Sequence, residues 1–191
     1  MAYLLDTDVF VTARNRHYGH DFCPGFWEWI VLAHGANVVR SVERVATELR
    51  NGDDGLRDFA IAWGPMFFVP PHRRDTAALA KVSNWVQSQD WEPRAVHDFL
   101  RRADYYLIGQ ALASQHSVVT HEVPSKSKRK IKIPNVCAGL GVKCMDPFAM
   151  LRAEGMRLVL DPAVRRSLQE AGHHDPRSKG LTSLFAPTEG E

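Results

Sequence analysis

The 191-residue chain is short of cysteine, of net charge and of long apolar runs, and each shortage removes a class of protein. The three cysteines, Cys23, Cys137 and Cys144, form no C-x-x-C unit and are too few for a disulfide scaffold, which points to a reducing, cytoplasmic setting. A net charge of +2 is too small to mark the whole chain as a binder of polyanions, so any basic footprint has to be local. No run approaches the length of a membrane span. The first residues enter a strand-like run directly, without a basic segment and a longer apolar stretch, so the chain is expected to be neither secreted nor membrane-embedded. It has no internal repeat.

What is present is an ordinary globular balance, 45% hydrophobic and 24% charged, in a chain long enough for one well-buried domain. "AYLL" is a short apolar run stopping at Asp6, as a buried strand does with polar residues at its carboxyl end. "DFCPGFWEWIVLAHG" has Pro24 near its start and Gly35 after its end, framing a helix with Phe22, Phe26, Trp27, Ile30 and Val31 toward the core. "NVV" reads as a second strand, and Ser41 as the N-cap of a helix carrying Val42, Val45, Ala46 and Leu49 before the turn at Asn51-Gly52. "MFFV" suits a strand, residues 75–89 and 96–115 suit two helices, and "SVVT" at 117–120 is a further strand ending at His121 and Glu122. Strands that are apolar throughout and alternate with helices predict an α/β fold around a parallel sheet. The expected domain spans residues 1–160. Residues 161–191 are richer in polar, proline and glycine residues and form an appendage free to contact a partner.

Carboxylates dominate the candidate chemistry. In an open parallel sheet, ligands bind outside the carboxyl ends of the strands. Asp6 and Glu122 fall at such ends, while Glu48 and Asp104 lie on helices that flank the second and third confident strands. Bringing such acids together costs roughly 4 kcal/mol per pair at 4 Å with an effective dielectric near 20, unless a cation or a proton intervenes. An all-oxygen set selects a hard ion such as Mg²⁺ or Mn²⁺, and the chemistry that follows is metal-assisted phosphodiester hydrolysis. An enzyme alternative starts from the same residues. "LLDTDVF" resembles the nucleophile motif of haloacid-dehalogenase-type phosphatases, with Asp6 attacking phosphorus and Asp8 handling the proton. Those enzymes need a final acidic pair after a late strand, and the one adjacent pair, Asp53-Asp54, comes early and follows a helix.

"YLLDTDVF", the Glu48 of "SVERVATELRNGDD", the Asp104 of "RRADYYLIGQALA" and "VVTHE" resemble, in order and context, the acidic signature of PIN-domain nucleases. The resemblance covers roughly residues 3–155, and "DFCPGFWEW" and "KIPNVC" are similar to stretches of a PIN-like subfamily without an assigned role. It implies a three-layer α/β/α sandwich and Mg²⁺- or Mn²⁺-dependent cleavage of RNA. For many bacterial members it also implies the toxin half of a toxin–antitoxin pair, with a homodimer and an antitoxin as partners. Carried across, it makes Asp6, Glu48 and Asp104 the core acids and puts Glu122 where the family has a fourth acid, usually aspartate. Asp8 takes the place of a small polar residue, and the hydroxyls of Thr7 and Thr120 are expected to orient carboxylates or water. A PIN-like binding module that keeps the fold without turnover is the non-enzyme alternative.

The basic stretch Lys126, Lys128, Arg129, Lys130 and Lys132 is a candidate contact for RNA phosphates. His173-His174 in the tail suits adventitious metal binding. The tryptophans Trp27, Trp29, Trp63, Trp85 and Trp91 form no stacking platform in sequence, and are expected in the core or against a partner.

Overall fold

A computed structural model of the chain describes residues 1–52 and 55–172. The elements run β1 (Tyr3–Leu5), α1 (Thr7–Thr12), a π-helical turn (Ala13–His17), α2 (Pro24–Gly35), β2 (Val39–Val42), α3 (Glu43–Arg50), α4 (Gly55–Phe67) and β3 (Phe68–Val69). A 3₁₀ turn (Arg73–Asp75) leads into α5 (Thr76–Ser88), α6 (Pro93–Arg101), α7 (Ala103–Ser114), β4 (Ser117–Val119), α8 (Ile133–Leu140), β5 (Cys144–Met145), α9 (Pro147–Ala153) and α10 (Pro162–Gly172). The chain divides into a unit Met1–Met156 and a second stretch from Arg157 onward. Asp53-Asp54 and His173-His174 lie outside the described residues.

The strands form one sheet in the order β3-β2-β1-β4-β5, every neighbouring pair parallel, with Leu5 opposite Val119 in the β1–β4 ladder. Successive strand side chains point to opposite faces, yet Leu4 and Leu5 are both buried, as are Val118 and Val119. Helices therefore cover both faces, and the expected three-layer α/β/α sandwich is what forms. The chain leaves β1 toward β2 and β3 on one side and returns to β4 and β5 on the other. The carboxyl ends of β1 and β4 thus flank the switch point where such sheets open a crevice. Phe10, fully buried on α1, meets Phe59, Phe67 and Phe68 with ring centroids 5.8, 6.0 and 6.1 Å away, which fixes α1 against the core.

Several expected elements sit differently. Ser41 lies inside β2, and its hydroxyl donates to the Leu5 carbonyl at 2.5 Å, so it pins β2 to β1 instead of capping a helix. The cap position of α3 falls to Val42, which makes no side-chain cap bond. Phe22 and Val31 are exposed, at 69% and 40%. The buried stripe of α2 runs through Phe26, Trp27, Ile30 and Ala33, and Val31 falls off it while Phe22 precedes the helix. Met66 and Phe67 belong to α4, which kinks at Gly64 (φ 46°) ahead of Pro65 and leaves only Phe68–Val69 for the strand. The helix expected over 96–115 is two helices, broken where Arg102 turns extended. From Asp161 the tail is not irregular throughout: the Asp161 carboxylate accepts the Ala163 and Val164 amides and starts α10. Among the described residues no helix is long and apolar enough to cross a membrane.

Candidate functional site

Asp6, Thr7, Asp8, Glu48, Asp104 and Glu122 line one cavity of about 350 Å³, with Val11 and Arg102 completing its wall. Each acid arrives on a different piece of backbone. Asp6 ends β1 in an extended conformation and caps α1, its carboxylate accepting the Thr7 amide at 2.7 Å. Asp8 stands in the first turn of α1, Glu48 near the end of α3, and Asp104 in the first turn of α7. Glu122 follows β4. The break at Arg102 is what brings Asp104 here, because it starts a new helix at the crevice.

Hydroxyls and amides hold most of these carboxylates in place. Thr120, buried just past β4, lies 2.8 Å from Asp6 and 3.0 Å from Asp8 through its Oγ1. It has one proton to donate, so it satisfies both only if one carboxyl supplies a proton of its own. Asp8 also accepts the His121 amide at 3.1 Å. Glu48 accepts the Thr7 hydroxyl at 2.5 Å and the Ala103 amide at 3.2 Å, so a side chain of α3 caps the N-terminus of α7. Glu122 is ion-paired with Lys132, both side chains largely shielded, and accepts the Ile133 amide at 2.9 Å, capping α8.

The electrostatics follow from burial and crowding. Asp6 is 5% exposed, and its pKa is raised well above the ordinary carboxylate value, first by desolvation and then by Asp8 and Asp104, with the Thr120 and Thr7 hydrogen bonds opposing. Asp104 is pushed up to about 6 by desolvation and by Glu122 and Glu48, while Arg102 pulls it down. Burial and the neighbouring acids therefore bias Asp6 toward its protonated form, in which the carboxyl can itself donate to Thr120 Oγ1. Among the described residues no three His, Cys, Asp or Glu side chains are grouped tightly enough to enclose an ion. Asp6, Glu48 and Asp104 line the same cavity, with Asp6 held by Thr7 and Thr120 and Glu48 by Thr7 and Ala103.

The basic stretch does not line this cavity. Lys128 pairs with Asp90 and Arg129 with Glu92 at 3.1 Å, so two of the five cations fasten the loop to the body, while Lys132 closes the loop on Glu122; Lys126 and Lys130 are exposed. Sequence reasoning missed Arg102 in the cavity wall, the capping of α7 by Glu48 and the Lys132–Glu122 pair. The Glu48 cap joins residues 55 apart, while the Lys132–Glu122 pair closes a loop of ten residues, and neither follows from a helical or strand spacing.

A family model described as "Domain of unknown function (DUF4411)" matches residues 3–158. No curated protein matches the chain. Among solved structures, a chain from the crystal structure of VapBC2 from Rickettsia felis bound to a DNA fragment from their promoter is similar, with a TM-score of 0.45 and 13% identity over 76% of this chain and 98% of that one. A likeness at that level fixes neither a residue correspondence nor a function. The family match, spanning the whole sheet and every acid of the cavity, does place the chain: it belongs to the DUF4411 family, one of the PIN-like families.

Proposed function

We propose that the chain is a Mg²⁺- or Mn²⁺-dependent endoribonuclease. The observation that carries this is a cavity lined by five carboxylates at the switch point of a parallel sheet, two of them with raised pKa values, against Arg102 in the wall and Lys132 paired with Glu122 at the edge. Protonation and a divalent ion are the two ways to relieve such a cluster, and an all-oxygen set suits the hard ions. Mg²⁺ commonly keeps much of its water and binds through one or two carboxylates, so a loose group of acids is a fitting bed for it. Asp6, Glu48 and Asp104 would hold the ion. Its contribution is to polarise a phosphate oxygen and to lower the pKa of water.

The chain's own residues supply the rest. Thr120 keeps Asp6 and Asp8 oriented, and Thr7 does the same for Glu48. Arg102 offers a charge to the incoming phosphate, and Glu122 acts by holding Lys132 at the cavity edge, where the ammonium feels both Glu122 and Asp104. Single-stranded or loop RNA fits best, because in-line attack needs an accessible backbone. With the PIN resemblance comes the reading that the chain is a toxin working as a homodimer and restrained by an antitoxin. Exposed Val31, Leu32, Ile61 and Met66 on α2 and α4 are apolar surface available to either partner.

The phosphatase reading is the weaker one, since Asp6 is buried and its carboxylate is held by the Thr7 amide and the Thr120 hydroxyl, which leaves it ill placed to attack phosphorus. Labelled RNA and a small phosphomonoester, each offered with Mg²⁺, Mn²⁺ or EDTA, separate the readings. RNA cleavage with Mg²⁺ or Mn²⁺ that EDTA abolishes is expected. Phosphomonoester turnover alone would overturn it, and no turnover of either would leave the binding module.

A further inference from the structure

Beside the acidic cavity lies a second one of about 190 Å³ whose character is opposite. Arg102, Arg129 and Lys130 stand in its wall with Asp98, over a floor that includes buried Phe99 and Ile131. Arg102 belongs to both cavities, so a strand lying across it would touch each in turn. We propose that this second cavity is a subsite for a backbone phosphate of the nucleic-acid strand, next to the phosphate held in the acidic cavity. The inference rests on the nuclease reading and adds to it where the substrate is gripped.

Three features fit the wall to an anion. Cations outnumber acids three to one, and Asp98 already faces Arg94 at 3.9 Å and His97 at 3.5 Å. Arg129 spends its Nε on Glu92, which leaves the other donors of its guanidinium fork for a ligand, and Lys130 has no carboxylate partner among the described residues. The loop that carries them is built in advance. The Glu92 amide donates to the Lys128 carbonyl at 3.0 Å, the Arg129 amide to Ser127 Oγ at 3.2 Å, and Asn135 bonds Ser125 in both directions at 2.9 and 3.0 Å. A basic segment held by that many bonds loses little freedom on binding. Phosphate contact of this kind positions a strand without reading its bases.

The test is equilibrium binding of a short fluorescent single-stranded RNA, and of DNA of the same sequence, to the chain carrying Asp6→Asn to suppress turnover. Arg129→Gln and Lys130→Ala are each expected to weaken both ligands by roughly tenfold at low salt. Each should also lower the slope of log affinity against log salt by about 0.7. Lys81→Ala, which removes an equal charge from an exposed position on α5, is expected to change neither. Loss of affinity no greater than that of Lys81→Ala, or loss confined to RNA, overturns the subsite. RNA cleavage by the unaltered chain, followed in parallel, tells the two failures apart: cleavage with unaffected binding in the variants removes the subsite alone, whereas neither binding nor cleavage removes the nuclease reading with it. Unchanged thermal midpoints in the two variants tie the loss to the ligand and not to folding.

Discussion

The two ends of the central sheet bury titratable groups in opposite ways. At the carboxyl ends of β1 and β4, Asp6 and Asp104 are crowded by further acids, and burial and repulsion act in the same direction to raise their pKa values. At the amino ends, His116 accepts the Ala2 amide at 3.2 Å beside a cavity of about 270 Å³ lined by Met1, Leu112, Val142 and others. Its pKa is lowered, by desolvation first and then by Arg40, the chain's amino group and Arg74. Both ends favour neutral groups in the metal-free protein. At the amino end burial and nearby cations account for the bias toward a neutral ring, which the Ala2 amide then uses as an acceptor. The carboxyl end gathers five acids and leaves the cluster dependent on protons, an investment that stability alone does not explain.

The hardest way to break this contrast is to take one charge from the acidic end. Asp6→Asn removes a carboxylate that the proposed ion requires, and a loss of several kcal/mol of transition-state stabilisation corresponds to about a thousandfold in rate. The same change relieves repulsion in the metal-free chain, so its thermal midpoint in EDTA should not fall. Undiminished RNA cleavage by a purified Asp6→Asn protein removes Asp6 from the chemistry.

Asp104 gives the contrast a pH signature. Between the ordinary value of 3.8 and about 6 the folded chain holds a proton on Asp104 that the unfolded chain releases, so this group's contribution is complete below 3.8 and is lost as pH rises through about 6. The loss amounts to roughly 3 kcal/mol. Urea unfolding in EDTA should therefore find Asp104→Asn gaining on the native chain as pH rises across that window. Mn²⁺ should recover more stability for the native chain at pH 7.5 than at pH 5, since the ion replaces the proton. A variant that tracks the native chain at every pH would show the strain to be elsewhere.

Smaller effects are expected from the hydroxyls that orient the acids. Thr7→Val and Thr120→Val keep every carboxylate but remove the donors to Glu48 and to the Asp6–Asp8 pair, and should lower activity or cation affinity by about 10- to 100-fold. Isothermal titration with Mn²⁺ beside the cleavage assay reads both quantities. Native values for both variants would mean that the carboxylates need no such support.

How much of this the sequence carries depends on how local each cause is. Asp6 was legible because an apolar run ends on it, and the strand-end argument needs only neighbouring residues. The parallel sheet was legible for the same reason. The break at Arg102 was not: "AVHDFLRRADYYLIGQALA" keeps helical spacing across it, and the Ala103 amide is capped by Glu48, 55 residues earlier. Ser41 reads as a cap until the Leu5 carbonyl, 36 residues away, claims its hydroxyl. Glu122 resembled a fourth acid of the family, and its ion pair with Lys132 depends on how the loop over 121–132 folds back. Partners outside the local element decide these residues, and no helical or strand spacing rule contains them.

The mildest test works at the other end of the sheet. His116→Gln alters a group that accepts the Ala2 amide just before β1, at the end of the sheet opposite the acids, so RNA cleavage should match that of the native chain. Its effect belongs to stability and carries the reverse pH sign. A histidine whose folded pKa is lowered binds fewer protons in the folded than in the unfolded chain just below 6.5, so its stabilising contribution is complete above that value and is lost as pH falls. Removing the ring should flatten the fall of stability below pH 6.5 and leave the Asp104 window untouched. A cleavage defect in His116→Gln would mean that the two ends are coupled through β1 and β4, and the division of labour across the sheet would have to be given up.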